Sequence, residues 1–157
     1  MKLLDFLIRG ATRYELKSSG KQEAVEELVQ ALVEAAVLKQ ASVPTVVDAL
    51  MKREELGSTG IGMGVAIPHT KTDATDRLVG MVGRSSRGVE FKAIDGEPVH
   101  VFFLVLSPPS KPAEHLKALE QISCLIRDDH FCRFMRNAKT LEELNDILQE
   151  ADEKLFT

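Results

Sequence analysis

One stretch limits what this chain can fold into more than any other: Val99-His100-Val101-Phe102-Phe103-Leu104-Val105-Leu106. It is introduced by the turn dipeptide Asp95-Gly96 and closed by Ser107-Pro108-Pro109-Ser110. A strand with one face in water alternates polar and apolar residues, whereas near-continuous hydrophobicity calls for cover on both faces. The run therefore predicts a central strand between two layers. It is also far shorter than the ~20 residues that span a bilayer, so no membrane insertion is expected.

The flanking sequence supplies the layers. Residues 12–18 alternate well enough for a short strand, and Ser19-Gly20-Lys21-Gln22 has the form of a capping box. Val25, Leu28, Val29, Leu32 and Ala36 then recur at helical spacing, giving a helix with one buried face to about Leu38. A second helix starts near Ser42, tolerates Pro44 in its first turn, turns Val46, Val47 and Leu50 inward and stops before Gly57. A glycine-rich loop leads into strand-like residues 65–69, and residues 78–85 and 89–91 suggest two further strands. Beyond Pro109, helices are expected over residues 112–127 and 129–136, with a last one opened by the capping box Thr140-Leu141-Glu142-Glu143. Helices come first and last with strands between, without strict β-α alternation. That order predicts an α/β (α+β) fold, a three-layer α/β/α sandwich with a central mixed sheet, as a single domain over residues 1–157.

Composition narrows the function. Hydrophobic residues at 44% and charged residues at 28% are ordinary globular usage, so a packed core is expected. A net charge of −4 offers no attraction to phosphate backbones or anionic lipids, which argues against nucleic acid as a partner. Asp5 and Arg9 break the apolar start of the chain and no small-residue cleavage site follows, so the expected location is cytoplasmic. Cys124 and Cys132 both fall in helix-like sequence and suit reduced thiols with a packing role; no Cys/His metal spacing occurs.

Four glycines between residues 57 and 64 invite comparison with nucleotide loops, but the pattern fails. Gly60-Ile61-Gly62 would need glycine where Val65 stands, there is no G-K-[ST], and the loop leaves a helix for a strand rather than the reverse. What the loop delivers is His69, directly behind Pro68, whose fixed φ and restraint on Ile67 make a stiff stem. Ser58 and Thr59 add hydroxyls suited to phosphate oxygens. His115 falls on a narrow helical face with Pro112, Leu119, Ile122 and Ile126. An imidazole there needs a polar partner, either backbone in the core or His69 at the sheet edge. Arg53, in the last turn of its helix, either complements the helix dipole or reaches over the loop to an anion at His69. His100 and His130 lack such context and suit structural or solvent roles.

The stretch Arg53-Glu54-Glu55-Leu56-Gly57-Ser58-Thr59-Gly60-Ile61-Gly62-Met63-Gly64-Val65-Ala66-Ile67-Pro68-His69 resembles the signature of the type-2 enzyme IIA family of the bacterial phosphoenolpyruvate:sugar phosphotransferase system. This group holds fructose, mannitol and nitrogen-regulatory members. Glu54, Ile61, Gly62, Val65, Ala66, Ile67, Pro68 and His69 stand at the family's spacing, and the resemblance runs on through His115-Leu116. Thr70 departs from it, standing where the family usually has a small residue such as glycine. The resemblance implies that His69 takes a phosphoryl group on Nε2 from a histidine of an HPr-like carrier, without a cofactor. It further implies that Arg53 and His115 flank that group. Thr59 and Ser58 are candidates for its oxygens, and Gly57, Gly60, Gly62, Met63 and Gly64 for carrier contact, with Leu56 and Ile61 as an apolar rim. The Gly-Ser-Thr-Gly-Ile-Gly run looks most like the nitrogen-regulatory subgroup, and no IIB or IIC sequence follows within the chain, so a regulatory protein is expected. The alternative is a stand-alone fructose- or mannitol-type IIA component that passes phosphate to a IIB domain. A third possibility is a pure binding module, since the fold is also similar to the cytoplasmic domain of anion exchangers; the intact Pro68-His69 pair argues against it.

Overall fold

The apolar run forms β5 (Val99–Ser107), buried along its whole length. In the computed structural model, which describes residues 1–155, the sheet is built around this strand. On one side lies β4 (Val79–Val89), antiparallel; on the other lie β2 (Val65–Ala66) and β3 (His69–Lys71), both parallel. The short β1 (Gly60–Gly62) pairs antiparallel with β2.

Successive side chains of β5 serve opposite layers. Phe102, Leu104 and Leu106 pack with Val25, Leu28, Val46 and Leu50 of α1 (Lys21–Glu34) and α2 (Val43–Glu55). Val101, Phe103 and Val105 pack with Ile122, Met135 and Leu144 of α3 (Pro112–Ile126), α4 (Asp129–Asn137) and α5 (Leu141–Leu155). The α/β/α sandwich with a central mixed sheet, expected from the order of helices and strands, is the observed architecture. Among the described residues, no helix is long and apolar enough to cross a membrane.

The strand expected over residues 65–69 is interrupted, with His69 opening its second half. Pro68 has no N–H for the ladder, and Ile67 gives its own N–H to the Thr59 carbonyl at 3.1 Å. The register nevertheless persists across the gap: Val65 and Ala66 face Val101 and Phe102, and His69, Thr70 and Lys71 face Val105, Leu106 and Ser107. Pro68 still accepts from the Val105 N–H at 3.0 Å.

Other differences have local causes. Residues 12–18 make one isolated bridge to β4, Arg13 with Gly83, rather than a strand, because only Arg13 and Leu16 make backbone–backbone hydrogen bonds to it. Tyr14 turns away to donate to the Ala138 carbonyl at 2.8 Å, and Glu15 accepts from the Ser86 N–H at 2.9 Å. The strands expected at 78–85 and 89–91 are one strand, β4, carrying an irregularity between Arg84 and Val89 where Gly88 adopts φ 88°. Helix α1 ends at Glu34 because Ala36 turns left-handed at φ 61°; Leu38 continues the apolar spacing as a buried loop residue. Gly20, not Ser19, is its N-cap, without a side-chain bond. At α5, Thr140 Oγ1 accepts from the Glu143 N–H at 3.0 Å, as its capping sequence requires.

Candidate functional site

The site lies where the parallel strands end. Because parallel neighbours in register share a face, His69, opposite Val105, points toward the α3 layer, and so does Lys71, opposite Ser107. Helix α3 follows β5 through the Ser107-Pro108-Pro109 turn, which brings His115, in its first turns, back over that edge. The rings of His69 and His115 stand 5.7 Å apart, tilted by 55°.

Each ring has one nitrogen tied down. His69 Nδ1 lies 2.7 Å from the Ile67 carbonyl, which can only accept, so Nδ1 carries the proton and Nε2 keeps its lone pair. Burial holds this half-buried imidazole below its ordinary pKa, with the Arg53 charge adding to the effect; the Ile67 bond and the Glu54 charge oppose it. His115 is buried and its Nδ1 lies 2.6 Å from Ser107 Oγ. Burial, followed by unfavourable interaction of a charged ring with His69 and Lys71, depresses its pKa to about 4. Both rings are therefore neutral near pH 7. If the Ser107 hydroxyl donates to His115 Nδ1, the ring proton sits on Nε2 as a donor. The polar partner that His115 needs on its apolar helical face is thus the Ser107 hydroxyl rather than backbone, with His69 as its ring neighbour.

Arg53, at the C-terminal end of α2, donates from a terminal nitrogen to the Gly57 carbonyl at 2.9 Å. Behind the loop, Glu54 is almost fully buried. It accepts from the Thr59 N–H at 3.1 Å and from the Thr59 hydroxyl, and it pairs with Lys21 Nζ at 2.8 Å. Thr59 is therefore buried with its hydroxyl proton given to Glu54, and Ser58 Oγ accepts from the Gly60 N–H at 3.0 Å. Both hydroxyls singled out for phosphate oxygens have partners within the protein, Thr59 in Glu54 and Ser58 in the Gly60 N–H and, at 3.5 Å, the Phe91 carbonyl. Gly60 packs so closely on Ala93 that an added Cβ would meet it at 2.8 Å, whereas Ile61 and Met63 stand exposed beside it. Gly57 is exposed, and Gly62, Met63 and Gly64 form the hairpin tip at positive φ.

Four residues that matter here were not given roles from the sequence. Lys21 and Glu54 sit on different helices, and Ser107 looked only like a strand terminus. Lys71 did carry a signal, since two residues beyond His69 on a strand means the same face. His100 bonds the Ser85 carbonyl at 2.8 Å, and His130 lies 2.8 Å from an Arg133 nitrogen. Cys124 and Cys132 are both free; burial pushes the Cys132 thiol up to about 11, which suits an inert packing role.

Residues 6–151 match the family described as "Phosphoenolpyruvate-dependent sugar phosphotransferase system, EIIA 2". The chain belongs to this family. Among curated relatives, a "Nitrogen regulatory protein" from Bradyrhizobium diazoefficiens is 34% identical over 148 residues, covering 94% of this chain and 95% of that protein. A "PTS system fructose-specific EIIABC component" from Bacillus subtilis is 30% identical over 152 residues, which make up 97% of this chain but 24% of that protein. Among solved structures, nitrogen regulatory protein IIA-Ntr from Neisseria meningitidis superposes with a TM-score of 0.80 at 30% identity, covering 92% of this chain and 97% of that one. EIIA domains of this system are phosphocarriers in phosphoryl transfer. The family has both regulatory and sugar-specific members, and this chain has relatives of both kinds.

Proposed function

We propose that this protein is a phosphocarrier of the nitrogen-regulatory kind, with His69 Nε2 as the acceptor of a phosphoryl group from the histidine of an HPr-like carrier. The observation that carries this reading is the 2.7 Å contact of His69 Nδ1 with the Ile67 carbonyl. A neutral imidazole with its proton held on Nδ1 offers Nε2 as a nucleophile and needs no base to remove a proton. The new Nε2–P bond forms as the carrier's N–P bond breaks, and the carrier histidine leaves with the bonding pair. The His69 ring then gains positive charge while Nδ1–H still donates to Ile67.

Charge on the transferring oxygens is the main catalytic burden in such a reaction. His115 supplies a neutral Nε2–H donor and Arg53 a guanidinium, released from Gly57 or shared with it. The exposed Ile61 and Met63, with the glycines around them, form the ground on which the carrier docks, through a transient interface of modest size. The protein works in the cytoplasm, where such carriers meet, and residues 1–157 act as one IIA unit. The similarity to a nitrogen regulatory protein, 34% identical over 148 residues, supports the regulatory role. The fructose-specific relative keeps a second reading open: phosphate passed onward to a IIB domain for sugar uptake.

Incubation with phosphoenolpyruvate, enzyme I and an HPr-type carrier tests the proposal. An acid-labile gain of ~80 Da, the mass of one phosphoryl group, is expected at His69. Full labelling of a His69→Gln protein would overturn it.

A further inference from the structure

The bond that orients His69 is itself held from behind, and its support can be followed atom by atom. His69 Nδ1 donates to the Ile67 carbonyl at 2.7 Å. The Ile67 N–H donates at 3.1 Å to the carbonyl of Thr59. The Thr59 N–H and hydroxyl both donate to the Glu54 carboxylate, whose remaining partner is Lys21 Nζ at 2.8 Å. Lys21 in turn lies over the Phe91 ring, 4.5 Å from its centre, in the first turn of α1. The Glu54 side chain is 2% exposed and that of Lys21 is 17% exposed.

Position in the sheet explains why such a support is needed. Between β2 and β3, Pro68 cannot donate and Ile67 does not donate to β5, so this point of the strand is not fixed by the ladder alone. The Thr59 carbonyl takes over the missing contact, and Thr59 lies on a loop. A loop carbonyl stays in place only if something grips its residue. Glu54 does so with both carboxylate oxygens, a charge-assisted arrangement stronger than a neutral bond.

We propose that Glu54, held by Lys21, is a positioning residue for the nucleophile: it anchors Thr59 so that the Ile67 carbonyl selects the Nδ1–H tautomer of His69. A buried ion pair is on general grounds weak evidence for stability, and this one grips the segment that aims the reacting nitrogen. The inference rests on the phosphocarrier reading for its purpose but not for its test, because the tautomer of His69 is observable without any carrier.

The experiment is 15N NMR of the His69 ring in the full chain, together with the rate of phosphoryl transfer. In the wild type, one tautomer protonated at Nδ1 is expected. Glu54→Leu combined with Lys21→Met removes the grip without leaving a buried charge alone. The folded double variant should show a mixture of Nδ1–H and Nε2–H forms and a transfer rate lower by roughly 10- to 100-fold, the scale of a misplaced reacting group. Glu54→Gln keeps one acceptor for the Thr59 N–H and should fall between the two. Loss of the Glu54 charge should also lower the titration midpoint of His69 in both variants. A folded double variant with the wild-type tautomer overturns the proposal and leaves Glu54 a structural residue, whatever its midpoint. Should that variant not fold, Glu54→Gln decides: a tautomer mixture supports the proposal, and an unchanged tautomer ends it. A wild-type protein that shows the Nδ1–H tautomer yet accepts no phosphate would instead count against the phosphocarrier function, with the positioning role intact.

Discussion

His69 and His115 are a pair of imidazoles kept neutral by burial, and their difference in support separates their roles. His69 has its free nitrogen opposite the tethered one, whereas His115 leans on Ser107 and is pushed to a pKa of about 4. On the proposed mechanism, removing His115 takes away one donor to the phosphoryl oxygens but leaves the nucleophile. His115→Ala should therefore slow transfer by ~10²–10³ without abolishing it, and His115→Gln should recover part of the loss. Stability has to be measured alongside because the truncation opens a small cavity; wild-type transfer in folded His115→Ala would return the residue to a core role. The same shift has a pH signature. The folded state binds fewer protons than the unfolded chain once pH falls below the ordinary imidazole value of 6.5. Stability from this source is complete above that value and is lost as pH falls toward about 4. Urea unfolding at pH 7 and pH 5 should show a smaller loss on acidification for His115→Gln than for the wild type.

The β1–β2 hairpin turns at Gly62, Met63 and Gly64, all at positive φ, and Met63 is the one that adopts this conformation against the preference of its side chain. It is also 50% exposed, so packing does not compensate. A carrier contact would account for it. Met63→Gly should leave stability unchanged or raise it by up to about 1 kcal/mol while weakening carrier transfer; equal transfer rates would remove Met63 from the docking surface. Gly60→Ala should instead destabilise by about 1–3 kcal/mol, because the added methyl meets Ala93. At Gly62, with φ 104°, any side chain strains the turn, so bulk placed there cannot separate docking from folding. The elements with strong period or punctuation were legible in the sequence: β5 from its unbroken apolar run and α2 from Pro44 and its glycine stop; the break in the strand before His69 was likewise announced by Pro68. What escaped depended on contacts between distant segments. Leu38 is buried whether or not its segment is helical, so spacing overran the end of α1. Ser107 and Lys21 acquire meaning only when α3 folds back over β5 and α1 lies beside α2.

Across the molecule, the N-terminal segment is stitched to both the sheet and the last helix. The buried Asp152 of α5 accepts from the Leu3 N–H at 2.6 Å, and Asp152→Ala should cost about 1–3 kcal/mol by leaving that donor unpaired in the interior. Chemical denaturation measures it, and a change within error would show that water replaces the carboxylate. Further along, the outer edge of β4 is met by this same segment: Ile8 donates to the Gly80 carbonyl at 2.8 Å, Gly80 to Phe6 at 2.9 Å, Arg13 to Val82 at 3.0 Å and Leu16 to Arg84 at 2.7 Å. An uncovered strand of that length is a template on which a second chain can add its own backbone, the starting point of strand-mediated aggregation. At the opposite margin, β1 is only three residues long and irregular in register, a poor template by itself. A form lacking residues 1–19 should consequently self-associate at concentrations where the full chain stays monodisperse in sedimentation. The irregular bridges that replace a first strand thus act as a selvedge, finishing the sheet where it would otherwise continue into its neighbour.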